Sequence, residues 1–72
     1  SVHHVTLTSN AAITPGLKLF SLDSDSNQSI GEVVNALQTE STWQLLVSVK
    51  NKQINAEDIF IEGHESDFIS WL

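Results

Sequence analysis

Asp23, Asp25 and Asn27 are spaced as oxygen ligands of a calcium ion could be. Alternate Asp and Asn side chains are typical of positions one, three and five in the loop of an EF-hand. Two later positions disagree, because Gln28 stands where that loop needs glycine and Val34 stands where it needs a bidentate glutamate. An ordinary polar turn is therefore the stronger interpretation, and a degenerate calcium module is the weaker alternative.

The histidines do not form a recognisable metal site either. His3 and His4 are adjacent, so on a β-strand they point to opposite faces and cannot chelate one ion together. His64 lies between Glu62 and Glu65, but the sequence identifies no further ligands for a metal held there. We assign no metal-ligating residue.

Catalytic patterns are also missing from the sequence. No serine stands in a G-x-S-x-G nucleophile motif, and no cysteine is present. Glu57 and Asp58 are adjacent carboxylates, but after Asn55 they fit a capped turn better than an acid–base pair. The three glycines are isolated, so no glycine-rich phosphate loop exists. We assign no catalytic and no cofactor-binding residue, and we expect this chain alone not to be an enzyme.

Composition narrows the classes of partner. The 72 residues carry nine acidic side chains against three lysines and no arginine, giving a net charge of −6. Direct binding of nucleic acid is disfavoured, because it depends on Lys and Arg contacts to phosphate. The sequence has no apolar run of membrane-spanning length and no signal peptide pattern. Because the chain begins at Ser1 and has no Met, we expect it to be a piece of a longer protein.

Alternating apolar residues predict short β-strands along most of the chain. The clearest example is residues 43–50, where Trp43, Leu45, Val47 and Val49 share one face. Similar alternation predicts further strands at residues 2–8, 17–22, 59–61 and 67–72. The five aromatic residues are expected in the core: Phe20, Trp43, Phe60, Phe68 and Trp71.

Residues 29–37 fit a helix and a strand about equally well by local criteria. Ser29 and Glu32 match a capping box, and the apolar residues that follow have helical spacing. Against the helix, Gly31 would cost about 1 kcal/mol relative to alanine in the first turn. In a strand, Gly31 would allow a bulge or a tight bend.

A family resemblance favours the strand. "SIGEVVNALQTESTWQLLVSVKNKQINAEDIFIEG" resembles the C-terminal barrel of the folate-binding YgfZ family, relatives of the glycine-cleavage aminomethyltransferase (T-protein). The similar features are Gly31-Glu32-Val33, then Ala36, then the polar turn "QTEST" and the apolar strand 43–49. "TPGLKLF" upstream and "FISWL" downstream also resemble segments of that barrel. The resemblance implies an all-β domain over residues 1–72, a six-stranded barrel of the aminomethyltransferase C-terminal type.

The same resemblance implies a function that lies largely outside this chain. The family's motif Lys-Gly-Cys-Tyr-Thr-Gly-Gln-Glu is absent here, so no functional residue can be carried over. The parent protein would be cytoplasmic, would bind tetrahydrofolate, and would support assembly or repair of iron–sulfur enzymes, including those that modify tRNA. This chain would be its non-catalytic accessory barrel, with no cofactor of its own.

The expected partners follow from that role. They are the upstream folate-binding domains and, through the parent, iron–sulfur proteins, with no direct nucleic acid and no membrane. The apolar residues on both faces of the predicted strand suit burial against another domain: Val33, Val34, Ala36 and Leu37. The alternative is a free-standing acidic domain that binds another protein through an exposed apolar face.

Overall fold

Six antiparallel strands form one sheet that curls into a half-barrel. The structure, a computed structural model, describes residues 1–22, 28–40 and 42–72. The strands are β1 (Val2–Thr8), β2 (Lys18–Ser21), β3 (Gly31–Thr39), β4 (Thr42–Val49), β5 (Ile59–Ile61) and β6 (Ser70–Trp71). A single-turn 3₁₀ helix (Asn51–Gln53) follows β4, and the described residues contain no α-helix. The predicted all-β class is therefore confirmed.

The two long pairings of β4 organise the sheet. Its strand order is β5-β2-β3-β4-β1-β6, and β4 pairs with β1 on one side and with β3 on the other. The C-terminal segment contains one end strand of this order, β6, and also contacts the opposite end strand, β5. Phe68 bridges to Phe60 of β5, while Ser70 and Trp71 pair with β1. One short segment therefore draws the two ends of the curled sheet together.

The core consists of aliphatic side chains on the inner face of the sheet. Leu45, Val47 and Val49 of β4 are buried, as their alternation predicted. Val5 of β1 pairs with Leu45, and Leu7, which pairs with Trp43, is buried on the same face. The other buried apolar residues are Ile13, Leu19, Ile30, Val33, Ile59, Ile61 and Ile69. Such β-branched and leucine side chains fill the small interior of a curled sheet.

The expectation that all five aromatic residues form the core is wrong. Trp43 and Trp71 are half-buried at its margin, where their indole N–H groups donate to the carbonyls of Ala11 and Ala56 at 3.1 and 2.7 Å. The three phenylalanines lie outside the core altogether. On β2 and β5, buried residues alternate with Phe20 and Phe60 and occupy the inner positions: Leu19 and Ser21 on β2, and Ile59 and Ile61 on β5. The strand phase therefore puts the phenylalanine rings on the outer face.

Residues 31–39 form a strand, as the family resemblance favoured over the helix. The predicted irregularity is present, but it lies between Val33 and Asn35, where the register with β4 shifts, and not at Gly31. Gly31 is required for another reason. A Cβ atom at this position would overlap the carbonyl oxygen of Ser48 on the neighbouring strand. Glycine thus permits the close approach of β3 and β4.

Candidate protein-docking surface

Three exposed apolar side chains lie on the outside of the β3–β4 hairpin. Leu37 is 63% exposed, Val34 is 47% exposed and Leu46 is 41% exposed. Asn35 pairs with Leu46 and Leu37 pairs with Gln44, so the two strands bring these residues together. We call Val34, Leu37 and Leu46 the outer strip.

A shallow groove lies beside two residues of the outer strip, Leu37 and Leu46. It has a volume of about 260 Å³, and its lining, mostly apolar, includes His4 of β1, Leu37 of β3 and Leu46 of β4. Apolar side chains that cluster on a surface stay in water unless another molecule covers them. The groove is shallow and open, and its exposed surface is mainly apolar, so it suits the side chains of another protein better than a small substrate.

The charge around the outer strip is negative. Glu32 stands on one side of it, near the start of β3, and Glu40 stands at the end of the hairpin. Lys18 forms an exposed ion pair with Glu32, with 3.9 Å between Nζ and Oε2, which screens that carboxylate in part. No lysine or arginine occurs in residues 19–49. A docked protein would therefore meet an apolar strip with acidic ends.

A second exposed apolar group occupies the other side of the half-barrel. Phe20 stacks on Phe60 with ring centroids 6.0 Å apart, and Phe68 meets Phe60 edge-on at 6.5 Å. We call these three residues the phenylalanine cluster. Their rings cover one another in part, so Phe20 and Phe60 are half-buried and Phe68 is 41% exposed. Each ring in such a pair shields part of its neighbour's apolar surface from water. The phenylalanine cluster is therefore the weaker docking candidate.

The histidines are placed as the strand pattern predicted for His3 and His4. His3 faces the half-buried Trp71, with ring centroids 5.9 Å apart, and its Nε2 lies 2.8 Å from the Ser1 hydroxyl. His4 lies on the outer face, at the groove. His64 is half-buried in a depression beside Asp67 and the loop after β1. Within the described ranges, no group of three His, Cys, Asp or Glu side chains is positioned to hold a metal ion.

The adjacent carboxylates Glu57 and Asp58 are not arranged as a catalytic pair. Asp58 accepts a hydrogen bond from the Ser21 hydroxyl at 2.6 Å, which ties the segment before β5 to β2. Glu57 is exposed and lines an open depression of about 460 Å³ together with Phe68 and Trp71. Asp58 is thus engaged in holding two strands together, and Glu57 stands in an open site.

The candidate calcium ligands Asp23, Asp25 and Asn27 lie outside the described residues. The described part of the chain has no helix of the length and apolar character needed to cross a membrane. No family model, curated protein or solved structure matches the chain.

Sequence reasoning identified part of the outer strip and missed the rest. The apolar residues on both faces of β3 indicated Val34 and Leu37 as candidates for burial against another domain. Leu46 was missed, although its phase is visible: it follows Leu45 directly, so one of the two must face outward. The phenylalanine cluster carried the same kind of signal, since Phe20 alternates with Leu19 and Ser21.

Proposed function

We propose that this chain is a non-catalytic docking barrel whose outer strip packs against another protein body. The observation that carries the proposal is the exposure of Val34, Leu37 and Leu46 side by side on one hairpin. Fully burying a valine or leucine side chain is worth about 2 kcal/mol, so covering the exposed half of each of these three residues supplies about 1 kcal/mol apiece. The described residues otherwise offer shallow, open depressions, which suit macromolecular contact better than chemistry.

In its specific form, the proposal is that the body is the folate-binding part of a YgfZ-like protein related to aminomethyltransferases. The support for this form is the sequence resemblance around Gly31, Val33 and Ala36, together with an all-β fold of six strands. The chain would be the accessory C-terminal barrel, and the parent would bind tetrahydrofolate and maintain iron–sulfur enzymes, including those of tRNA modification. The isolated chain is then expected to show no saturable micromolar binding of tetrahydrofolate by calorimetry.

The second candidate is a free-standing acidic interaction domain. The same outer strip and the net charge of −6 favour it. The two forms differ in one observation: the gene of the folate form must encode, upstream of Ser1, a long folate-binding body with the cysteine-containing motif. If that coding sequence is absent, the folate form is wrong and the interaction domain stands.

Photo-crosslinking tests the docking function itself. The photoreactive residue p-benzoylphenylalanine is placed at Leu37 of the full-length natural protein, and the matched control places it at Leu22, which is 60% exposed against 63% for Leu37. We expect a defined product from position 37 that maps to one surface, is lost on Leu46→Ser, and does not form from position 22. An intramolecular product supports the folate form, and a product with a second polypeptide supports the interaction domain. Equal labelling from both positions would contradict the docking proposal.

A further inference from the structure

Among the described residues, the second part of β3, residues 34–39, pairs with another strand along one edge only. β4 pairs with residues 35–39 on that edge, and Val34 lies in the bulge. On the opposite edge, β2 pairs with β3 at Gly31 and Glu32. The backbone hydrogen bonds along this edge end, among the described residues, at Val33, whose N–H donates to Leu17 and whose carbonyl accepts from Gly16. We call this unpaired side of residues 34–39 the open edge. Unpaired strand edges are templates for adding another strand.

Ala36 and Gln38 turn their backbone N–H and C=O groups toward the open edge. Thr39 and Thr42 flank the hairpin turn and therefore form a hydrogen-bonded pair, after which pairing alternates along the strand. The Ala36 N–H agrees with this direction, because it donates to the side-chain Oδ1 of Asn35 at 2.9 Å and not to β4. The Gln38 N–H and both carbonyls are left for a further strand.

The acidic side chains near the open edge determine which kind of strand could pair with it. Glu32 and Glu40 stand toward the two ends of the open edge, and Lys18, which pairs with Glu32, offsets one of these charges in part. A second copy of the chain, paired antiparallel about Ala36, would bring Glu32 of each copy near Glu40 of the other. Like charges brought together in this way are unfavourable, and both chains carry −6 overall. A segment with basic residues toward both ends would have the opposite effect.

We propose that the open edge receives an extended segment of the docked protein as an additional β-strand, with apolar side chains beside Leu37 and Lys or Arg toward Glu32 and Glu40. This inference rests on the proposed docking function and names the chemistry of its partner. The outer strip supplies apolar contact on one face of the added strand. The backbone of Ala36 and Gln38 supplies hydrogen bonds along its length, so the face and the edge act together.

A synthetic peptide tests the edge directly. The probe is Lys-Thr-Val-Thr-Val-Thr-Lys with blocked ends, whose valines and lysines lie on one face of an extended strand. In NMR titrations, we expect binding that weakens with salt and slows hydrogen exchange of the Gln38 amide. The matched control is Glu-Thr-Val-Thr-Val-Thr-Glu, which we expect to bind at least about tenfold more weakly because its ends meet Glu32 and Glu40.

Two variants separate the edge from the face. Gln38→Pro removes the outward N–H without removing a hydrogen bond to β4, so it should abolish peptide binding, whereas Gln38→Ala should not. Leu37→Ser should weaken binding through the face. If Gln38→Pro disturbs the fold, amide exchange in the unaltered chain decides. If the peptide binds but hydrogen exchange of the Gln38 amide is not slowed, the proposal of an added strand is wrong, while the proposed docking function is unaffected. Absence of binding, or protection of that amide by self-association alone, would also overturn the inference.

Discussion

The two parts of β3 belong to one strand but have different surroundings. Residues 31–33, the closed part, lie between β2 and β4, and Val33 is 1% exposed. Residues 34–39, the open part, have a strand on one side only within the described part of the chain, and the next valine, Val34, is 47% exposed. The bulge between Val33 and Asn35 marks the change. A bulge re-aims side chains and alters twist, so one strand can both seal a core and present a surface.

The largest expected effect on stability comes from a substitution in the closed part that would push the backbones of β3 and β4 apart. Gly31→Ala would place a Cβ atom against the carbonyl of Ser48, where backbone and not a flexible side chain must give way. We expect a loss of about 3 kcal/mol in the free energy of unfolding, measured by urea denaturation.

Gly63→Ala is the matched control for that variant. Gly63 has φ +83°, but a Cβ atom there would have nothing within 4 Å. Only backbone strain is added, so the loss should be about 1 kcal/mol. Equal losses for the two glycines would mean that the contact between β3 and β4 at Ser48 does not constrain the closed part.

The adjacent valines give the next largest contrast. Val33→Ala removes methyl groups from a buried position, and we expect a loss of about 2 kcal/mol in the free energy of unfolding. Val34→Ala removes the same atoms from an exposed position and should change it by less than about 0.5 kcal/mol. Thermal or urea unfolding of both variants checks the comparison. Similar losses would show that the bulge does not separate two environments.

This comparison also explains how far the sequence predicts the fold. Ile30, Val33, Val34 and Leu37 have the spacing of one helical face, yet Ile30 and Val33 are buried while Val34 and Leu37 are exposed. Strict alternation in β1 and β4 located those strands correctly, because each has one buried and one outer face. In β3 the bulge interrupts the period of two, and no local pattern reveals where a partner strand ends.

The docking surface was predictable only in part for a related reason. An apolar residue at an outer phase can be recognised from the sequence, as Leu46 shows beside Leu45. Whether it is covered depends on distant segments: Phe60 is partly covered by Phe20 and Phe68, whereas Leu37 is 63% exposed. The open edge depends likewise on where β2 stops pairing, which is set by the length of β2 and its connection.

The smallest expected effect concerns Asn35, whose side chain accepts a hydrogen bond from one of the backbone N–H groups of the open edge. Its side chain accepts the Ala36 N–H at 2.9 Å, and such local bonds compete with strand pairing. Asn35→Ala should release that donor and tighten binding of the lysine-ended peptide about threefold, the effect of one modest hydrogen bond. Gln44→Ala is the control, because it removes an exposed amide from β4 without touching the edge. NMR titration measures both. If Asn35→Ala weakens binding, its amide contacts the added strand instead of shielding the edge from it.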